Sequence, residues 1–272
     1  MPSLLNPFTA VCHLFRHRHL IGQFTRREAF GRYKGSYLGL AWAFIQPLIL
    51  LAVYTFVFSV IFEAKWGMSP QGGRLSFALA LFVGILTFNI VGEVANAAPG
   101  LILSHTNYVK KVIFPLEILP LTKLFAAVIH ALFGMMILLC GIAISTLEFQ
   151  WTIVLLPVVW LPVMLFSLGI GYFLSALGVF IRDVGQSVGL IITMLFFLSP
   201  IFYPLESIPA DIRVYCQLNP IALFVEDSRR VMLWGSYPDW PWYFAALALS
   251  LVTFQLGFFW FMRSKKAFAD VL

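Results

Sequence analysis

The stretch Leu38–Phe62, LGLAWAFIQPLILLAVYTFVFSVIF, contains no Asp, Glu, Lys or Arg. A helix rises 1.5 Å per residue, so about 20 apolar residues carry it across the hydrocarbon of a bilayer. This run is longer than that. It reads as a membrane-spanning helix, and it sets the solvent in which the rest of the chain is to be read.

Working outward, similar runs recur. Leu75–Ala98 is broken only by Glu93 near its end, and Ile118–Leu147 carries Lys123 and His130. Ile153–Ile181 and Ser187–Tyr203 are otherwise free of charge, and Trp242–Met262 closes the set. The expected fold class is therefore all-α: a polytopic membrane protein with six transmembrane helices. Composition agrees. Of 272 residues, 61% are hydrophobic and 11% charged, where a soluble domain carries about 25% charged residues. A mean hydropathy of +0.91 leaves too little polar surface to coat a water-soluble globule.

The net charge of +6 reflects topology rather than nucleic acid, because Lys and Arg are retained on the cytoplasmic side. Arg16, Arg18, Arg26, Arg27, Arg32, Lys34, Lys110, Lys111, Arg182, Arg263, Lys265 and Lys266 fall on one side of a six-span arrangement. Lys65, Arg74, Arg213, Arg229 and Arg230 fall on the other, among seven carboxylates. Twelve against five places both termini in the cytoplasm. The long apolar run after the basic segment, without a small-residue cleavage site, reads as a retained anchor rather than a signal peptide.

Two regions do not span. In residues 1–37, Asn6–Pro7 supplies a helix start, and Phe8, Val11, Cys12, Phe15 and His19 share one face. That segment is expected to be a basic amphipathic helix in the cytoplasmic interface. Residues 204–241 are too polar to span and too apolar for a free loop. Two short re-entrant helices are expected there on the periplasmic side, the second from Asn219–Pro220 to Gly235. Glu226 and Arg230 are spaced to pair along it, with Ile221, Phe224, Val225 and Met232 as an apolar flank. Trp234, Tyr237, Trp240, Trp242 and Tyr243 then mark the outer interface. Spans one to five occupy 38–203, span six 242–262 and a cytoplasmic tail 263–272, all in one transmembrane domain.

The chemistry expected of this chain is binding and passage. Cys12, Cys140 and Cys216 have no metal or disulfide spacing, and His13 and His17 have no acidic or thiol partner arranged with them. No G-x-x-x-x-G-K-[ST] phosphate loop occurs. No metal site, and no cofactor held by this chain, is expected. Glu93 and Lys123, near the cytoplasmic ends of adjacent spans, are costly enough in a membrane to seek each other, and His130 reads as a hydrogen-bonded core histidine.

Five segments carry a family likeness in order: GRYKGSYLGLAWAFIQP (Gly31–Pro47), YVKKVIFPLEILP (Tyr108–Pro120), FIRDV (Phe180–Val184), SPIFYP (Ser199–Pro204) and NPIALFVEDSRRVMLWG (Asn219–Gly235). The chain resembles the membrane subunits, or permeases, of type-2 ABC transporters for polysaccharide export, nearest the O-antigen (lipopolysaccharide) export branch. The resemblance implies a homodimer in the bacterial inner membrane, working with two separate ATPase subunits that bind ATP and magnesium. It implies an undecaprenyl-diphosphate-linked polysaccharide substrate, and a channel lined largely by first and fifth spans.

On that basis the substrate pathway is assigned to Trp42, Phe44, Gln46, Tyr54, Phe56 and Phe58 of the first span and to Phe196, Phe197, Phe202 and Tyr203 of the fifth. Sugar C–H faces stack on such rings weakly enough to slide; the 17% aromatic content fits this use. Arg26, Arg27, Arg32 and Lys34 lie where a lipid diphosphate arrives, since arginine clamps phosphate with paired donors. Gly31, Gly35 and Gly39, at four-residue spacing, suit close helix approach or a flexible gate, and close packing is the reading taken. Coupling to the ATPase is assigned to His105, Lys110, Lys111, Arg182 and Asp183. The alternatives are a type-2 exporter of drugs or simple lipids, and an intramembrane enzyme acting on lipid-linked sugars.

Overall fold

A computed structural model describes residues 17–61, 74–111, 114–144, 149–209, 211 and 218–272. Every regular element among the described residues is helical. The amphipathic segment read at Asn6–Phe15, and most of the first short outer helix, lie outside them.

The chain begins with α1, Arg18–Gly31. Sequence reading does not give this helix; the stripe Ile21, Thr25 and Ala29 is buried and explains it. Turns follow, with Gly35 at φ 84° and Gly39 at φ 50°. An L side chain rarely takes that conformation, whereas glycine does so freely. A Cβ at Gly31, Gly35 or Gly39 would meet nothing within 4 Å. The expectation of close packing at these glycines is therefore wrong within the chain: two of them make turns.

The first span is α2, Trp42–Thr55, continued by a wider π turn over Phe56–Ile61. Next come α3, Arg74–Leu101, the short α4, Thr106–Lys111, and α5, Ile118–Ile144. After a 3₁₀ turn at Trp151–Leu155 runs α6, Leu156–Phe180. Then follow α7, Val184–Leu198, α8, Pro220–Met232, α9, Trp240–Ser264, and the terminal turn α10, Phe268–Val271. Among the described residues, five helical stretches are long and apolar enough to cross a membrane, and α7 is a shorter apolar helix.

The organising element is α3. Of its apolar window 89% is buried, against 6% for Gly39–Phe58. It packs on α5, α6, α7 and α8. The most extensive pairing is α6 with α9, where Gly257 sits against the Gly169 carbonyl with no room for a side chain. Small residues let backbones approach in this way in membranes, where dispersion replaces the hydrophobic drive. The close-approach glycines are thus Gly169, Gly178 and Gly257, buried in otherwise featureless apolar runs.

The helix α8, expected from sequence on the outer side, is seated on protein. Asn219 caps it, its Oδ1 accepting from the Ile221 N–H at 3.0 Å, with Pro220 at the first turn. Its apolar flank, Ile221, Phe224, Val225 and Met232, is buried. Arg229 is fully buried: Nε donates to Ala80 O at 2.9 Å, Nη1 to Pro200 O at 2.7 Å and Nη2 to Ile201 O at 2.9 Å. One planar guanidinium therefore ties α8 to α3 and to the turn after α7. The expected Glu226–Arg230 pair is replaced: Glu226 lies 3.9 Å from Arg229, and Arg230 3.9 Å from Asp239. Arg229 takes Glu226 because three carbonyls draw its guanidinium inward, and a buried cation needs its counter-charge close.

Candidate functional site

The helices α2 and α7 are the least enclosed among the described residues. On α2, Leu48, Ile49 and Val53 are exposed, and on α7 so are Leu190, Ile191 and Met194. Both lean on α3. Between them lies a cavity of about 320 Å³, which Trp42, Gln46 and Leu50 line from α2 and Ile192 from α7. Its floor is polar: Asn89, Glu93 and Asn96 of α3, His130 of α5, and Arg32. The sequence-assigned Trp42 and Gln46 thus share one space with amides that sequence reading did not single out. Asn89 and Asn96 are seven residues apart, two turns on one face, and that spacing was the available signal.

The charged floor is a network. Lys123 Nζ donates to Glu28 Oε1 at 2.9 Å and lies 3.5 Å from Glu93 Oε1. The Glu93–Lys123 pairing expected from sequence is therefore present, with Glu28 added from α1. His130 is fully partnered. Nε2 donates to Ala29 O at 3.0 Å, and Nδ1 lies 3.0 Å from both Glu93 oxygens and in hydrogen-bond contact with Arg32 Nη2. Since the carbonyl fixes the proton on Nε2, Nδ1 accepts from Arg32 in the neutral ring and donates to Glu93 in the cation. Glu28 adjoins the buried stripe of α1, and a carboxylate there needs a cation across the interface.

The rings divide by burial. Tyr54 lies 6.4 Å from Phe196 and 5.5 Å from Phe202, and Phe58 stacks on Phe202 at 4.8 Å. Phe196 meets Phe88 of α3 at 5.0 Å. These contacts join α2 and its π turn to α7 and the turn after it. Phe202, at 4% exposure, is buried within this chain, where it packs between the two helices. Tyr203 donates its hydroxyl to the Phe197 and Leu198 carbonyls, each at 3.2 Å, and so closes the end of α7. Phe44 packs on Phe133 at 5.4 Å. Trp42, Phe56 and Phe197 are the exposed rings.

The four cations assigned to a lipid diphosphate separate. Arg26, Arg27 and Lys34 line one groove of about 430 Å³ with Gln23 and Phe30. Arg32 turns into the polar cavity instead, 3.8 Å from Glu93. Arg27 also lies over the Phe24 ring and contacts His105 Nε2 at 3.2 Å. His105 Nδ1 bonds the Leu101 carbonyl at 2.8 Å, so that nitrogen carries the proton and Nε2 accepts from Arg27.

The residues assigned to coupling sit at two turns. His105 ends a 3₁₀ turn after α3, and Lys110 and Lys111 end α4; the two lysine side chains lie outside what the structure describes. Arg182 and Asp183 are exposed between α6 and α7. The C-terminal tail touches the helices beside both turns. α10 packs on α4 and α6, the buried Phe268 meets Phe180 at 6.1 Å, and Lys265 donates to the buried Glu117 at 2.6 Å. Sequence reading left this tail without a role.

Residues 19–233 match the family described as ABC-2 type transporter. The chain is 27% identical to the O-antigen export system permease protein RfbA of Myxococcus xanthus, over 96% of this chain and 98% of that protein. It is 25% identical to the polysialic acid transport protein KpsM of Escherichia coli, over 77% and 78%. It is 22% identical to the capsule polysaccharide export inner-membrane protein CtrC of Neisseria meningitidis serogroup B, over 88% and 89%.

Proposed function

The chain belongs to the ABC-2 type transporter family, and on that premise we propose that it is the membrane permease subunit of an ATP-driven polysaccharide exporter. The observation that carries this reading is the open face shared by α2 and α7, with exposed rings above a floor of amides and ions. A sliding polymer of sugars needs apolar faces to stack on and exchangeable hydrogen bonds for its hydroxyls. Each ring contact contributes only about 1 kcal/mol, so no register holds the chain fast. The polar floor, Gln46, Asn89 and Asn96, suits sugar hydroxyls better than a drug or a simple lipid.

Six spans, with α7 as the fifth and both termini cytoplasmic, fit the charge distribution. α8 forms a re-entrant cover on the periplasmic side. Two copies juxtapose their α2 and α7 faces, and the passage runs between them. The groove of Arg26, Arg27 and Lys34 receives the diphosphate of an undecaprenyl-linked polymer, with Arg32 the next cation inward. ATP and magnesium are handled by a separate subunit, which presses on the turns at 103–111 and 182–183, where His105, Lys110, Lys111, Arg182 and Asp183 lie. The names of the relatives, O-antigen and capsule permeases among them, support this reading.

The test is reconstitution. The chain is co-purified with its candidate ATPase subunit in lipid vesicles, and hydrolysis is measured with and without lipid-linked polysaccharide. Stimulation by the polymer is expected. Turnover of a lipid-linked sugar by the chain alone, or stimulation only by small amphiphiles, contradicts the proposal.

A further inference from the structure

A second, larger cavity lies on the side of α1 that faces α5, α6 and α9, with a volume of about 700 Å³. It shares no lining residue with the polar cavity. Its walls are apolar: Leu121, Phe125 and Val128 of α5, Leu165 and Leu168 of α6, and Phe254 of α9. An open apolar groove of this kind holds water poorly.

Its rim has a different chemistry. Arg18, Gly22 and Arg26 follow one another at four-residue spacing along α1, all exposed. Two guanidiniums therefore stand a turn either side of a glycine, and a Cβ on Gly22 would meet nothing within 4 Å. Within the cavity Thr25 is only 8% exposed, and its Oγ1 has no hydrogen-bond partner. A buried hydroxyl without a partner is costly, so this one is a donor awaiting a ligand oxygen. Paired cations, a buried hydroxyl and an apolar slot at the cytoplasmic end of a membrane protein have one complement. It is an anionic amphiphile, of the kind enriched where juxtamembrane arginines sit.

We propose that this cavity is a structural site for one anionic glycerophospholipid. Its phosphate lies between Arg18 and Arg26, an ester oxygen accepts from Thr25 Oγ1, and one acyl chain fills the slot between α5, α6 and α9. The lipid fastens α1 against α5. It thereby holds Glu28 on Lys123 and the Ala29 carbonyl on His130, contacts that form one wall of the polar cavity. The inference does not depend on what is transported.

The test uses the full chain in neutral detergent, stripped of lipid, with phosphatidylglycerol, phosphatidylcholine or undecaprenyl phosphate added back. Bound lipid is counted by native mass spectrometry and thermal stability is followed in parallel. Phosphatidylglycerol is expected to bind once per chain and raise the melting temperature, with phosphatidylcholine at least about tenfold weaker. Arg26→Gln should lower phosphatidylglycerol affinity about tenfold, and Gly22→Leu should abolish binding by filling the rim. Thr25→Val should melt no lower than the parent without lipid yet gain less from phosphatidylglycerol. Three results overturn the site: equal binding of the two phospholipids, tighter binding of undecaprenyl phosphate that Gly22→Leu abolishes, or unchanged phosphatidylglycerol binding in Gly22→Leu. A tenfold gain in affinity on removing residues 1–16 would make those residues the occupant instead.

Discussion

Phe58 and Phe202 lie face to face, with ring centroids 4.8 Å apart and planes 23° apart. The contact crosses from the end of the first span to the turn that follows α7. Phe197 reaches the other side of Phe202 at 5.5 Å, yet is 57% exposed. One aromatic cluster thus contains a ring that holds two helices together and a ring that is presented outward. The two roles are separable by substitution.

Phe202→Ala removes a ring at 4% exposure and is expected to cost about 3–5 kcal/mol. Thermal unfolding in detergent should show a large drop. Phe197→Ala should stay within about 0.5 kcal/mol of the parent and lower polymer export in vesicles. Equal destabilisation by both would mean that Phe197 is also a packing ring.

Glu93 and Lys123 form a partly buried pair, with side chains 20% and 15% exposed. Breaking such a pair from one side strands a charge. Glu93→Gln and Lys123→Gln should each cost about 2–3 kcal/mol, below the fully buried figure because both groups keep some solvent. The double substitution should cost less than the sum, with a coupling of at least about 1 kcal/mol. Strict additivity in the cycle would show that the two groups do not interact.

Arg229→Lys keeps the charge and loses the planar fork that serves the Ala80, Pro200 and Ile201 carbonyls. A drop of about 2–4 kcal/mol is expected, with earlier proteolysis around α8, since that helix loses its tie to α3. A lysine variant as stable as the parent would show that charge alone holds this joint.

Asp227 on α8 gives a pH signature. Burial pushes its carboxyl up to about 6, opposed by the Asp239 N–H it accepts at 3.1 Å and by Arg230, while the charge of Asp239 adds to the rise. The folded-state value is above the unfolded one, so the native state takes the proton first as pH falls. Stability therefore rises as pH drops from about 6 to about 4, and is lost as pH climbs back through that window. Asp227→Asn, which still accepts from Asp239, should be more stable at pH 7.5 by about 1–2 kcal/mol, and the gap should close near pH 4. A constant gap across that range would remove the titration from the account.

The membrane solvent was legible from charge-free length alone, because Leu38–Phe62 and its counterparts have no other stable home. The Glu93–Lys123 pair was legible too, since two opposite charges in adjacent spans have few partners to choose from. Sequence could not show which rings of an aromatic-rich span are buried: Phe197 and Phe202 differ in environment, not in type. Nor could spacing separate turn glycines from contact glycines. Gly31, Gly35 and Gly39 look periodic and make no close contact, whereas Gly169 and Gly257 are far apart in sequence and meet in space. Of Arg229 and Arg230, spacing favoured Arg230 as the partner of Glu226. The carbonyls of α3 and of the turn after α7 reverse that choice.

The decisive measurement is cross-linking from single photoreactive residues placed at Gln46 and Phe197, and at Leu251 and Leu256 on the exposed side of α9, in the transporter halted while exporting lipid-linked polysaccharide. Adducts to sugar at 46 and 197, with only lipid captured at 251 and 256, are the predicted result. Lipid alone at 46 and 197 would turn α2 and α7 toward the bilayer, and the passage would have to be sought elsewhere.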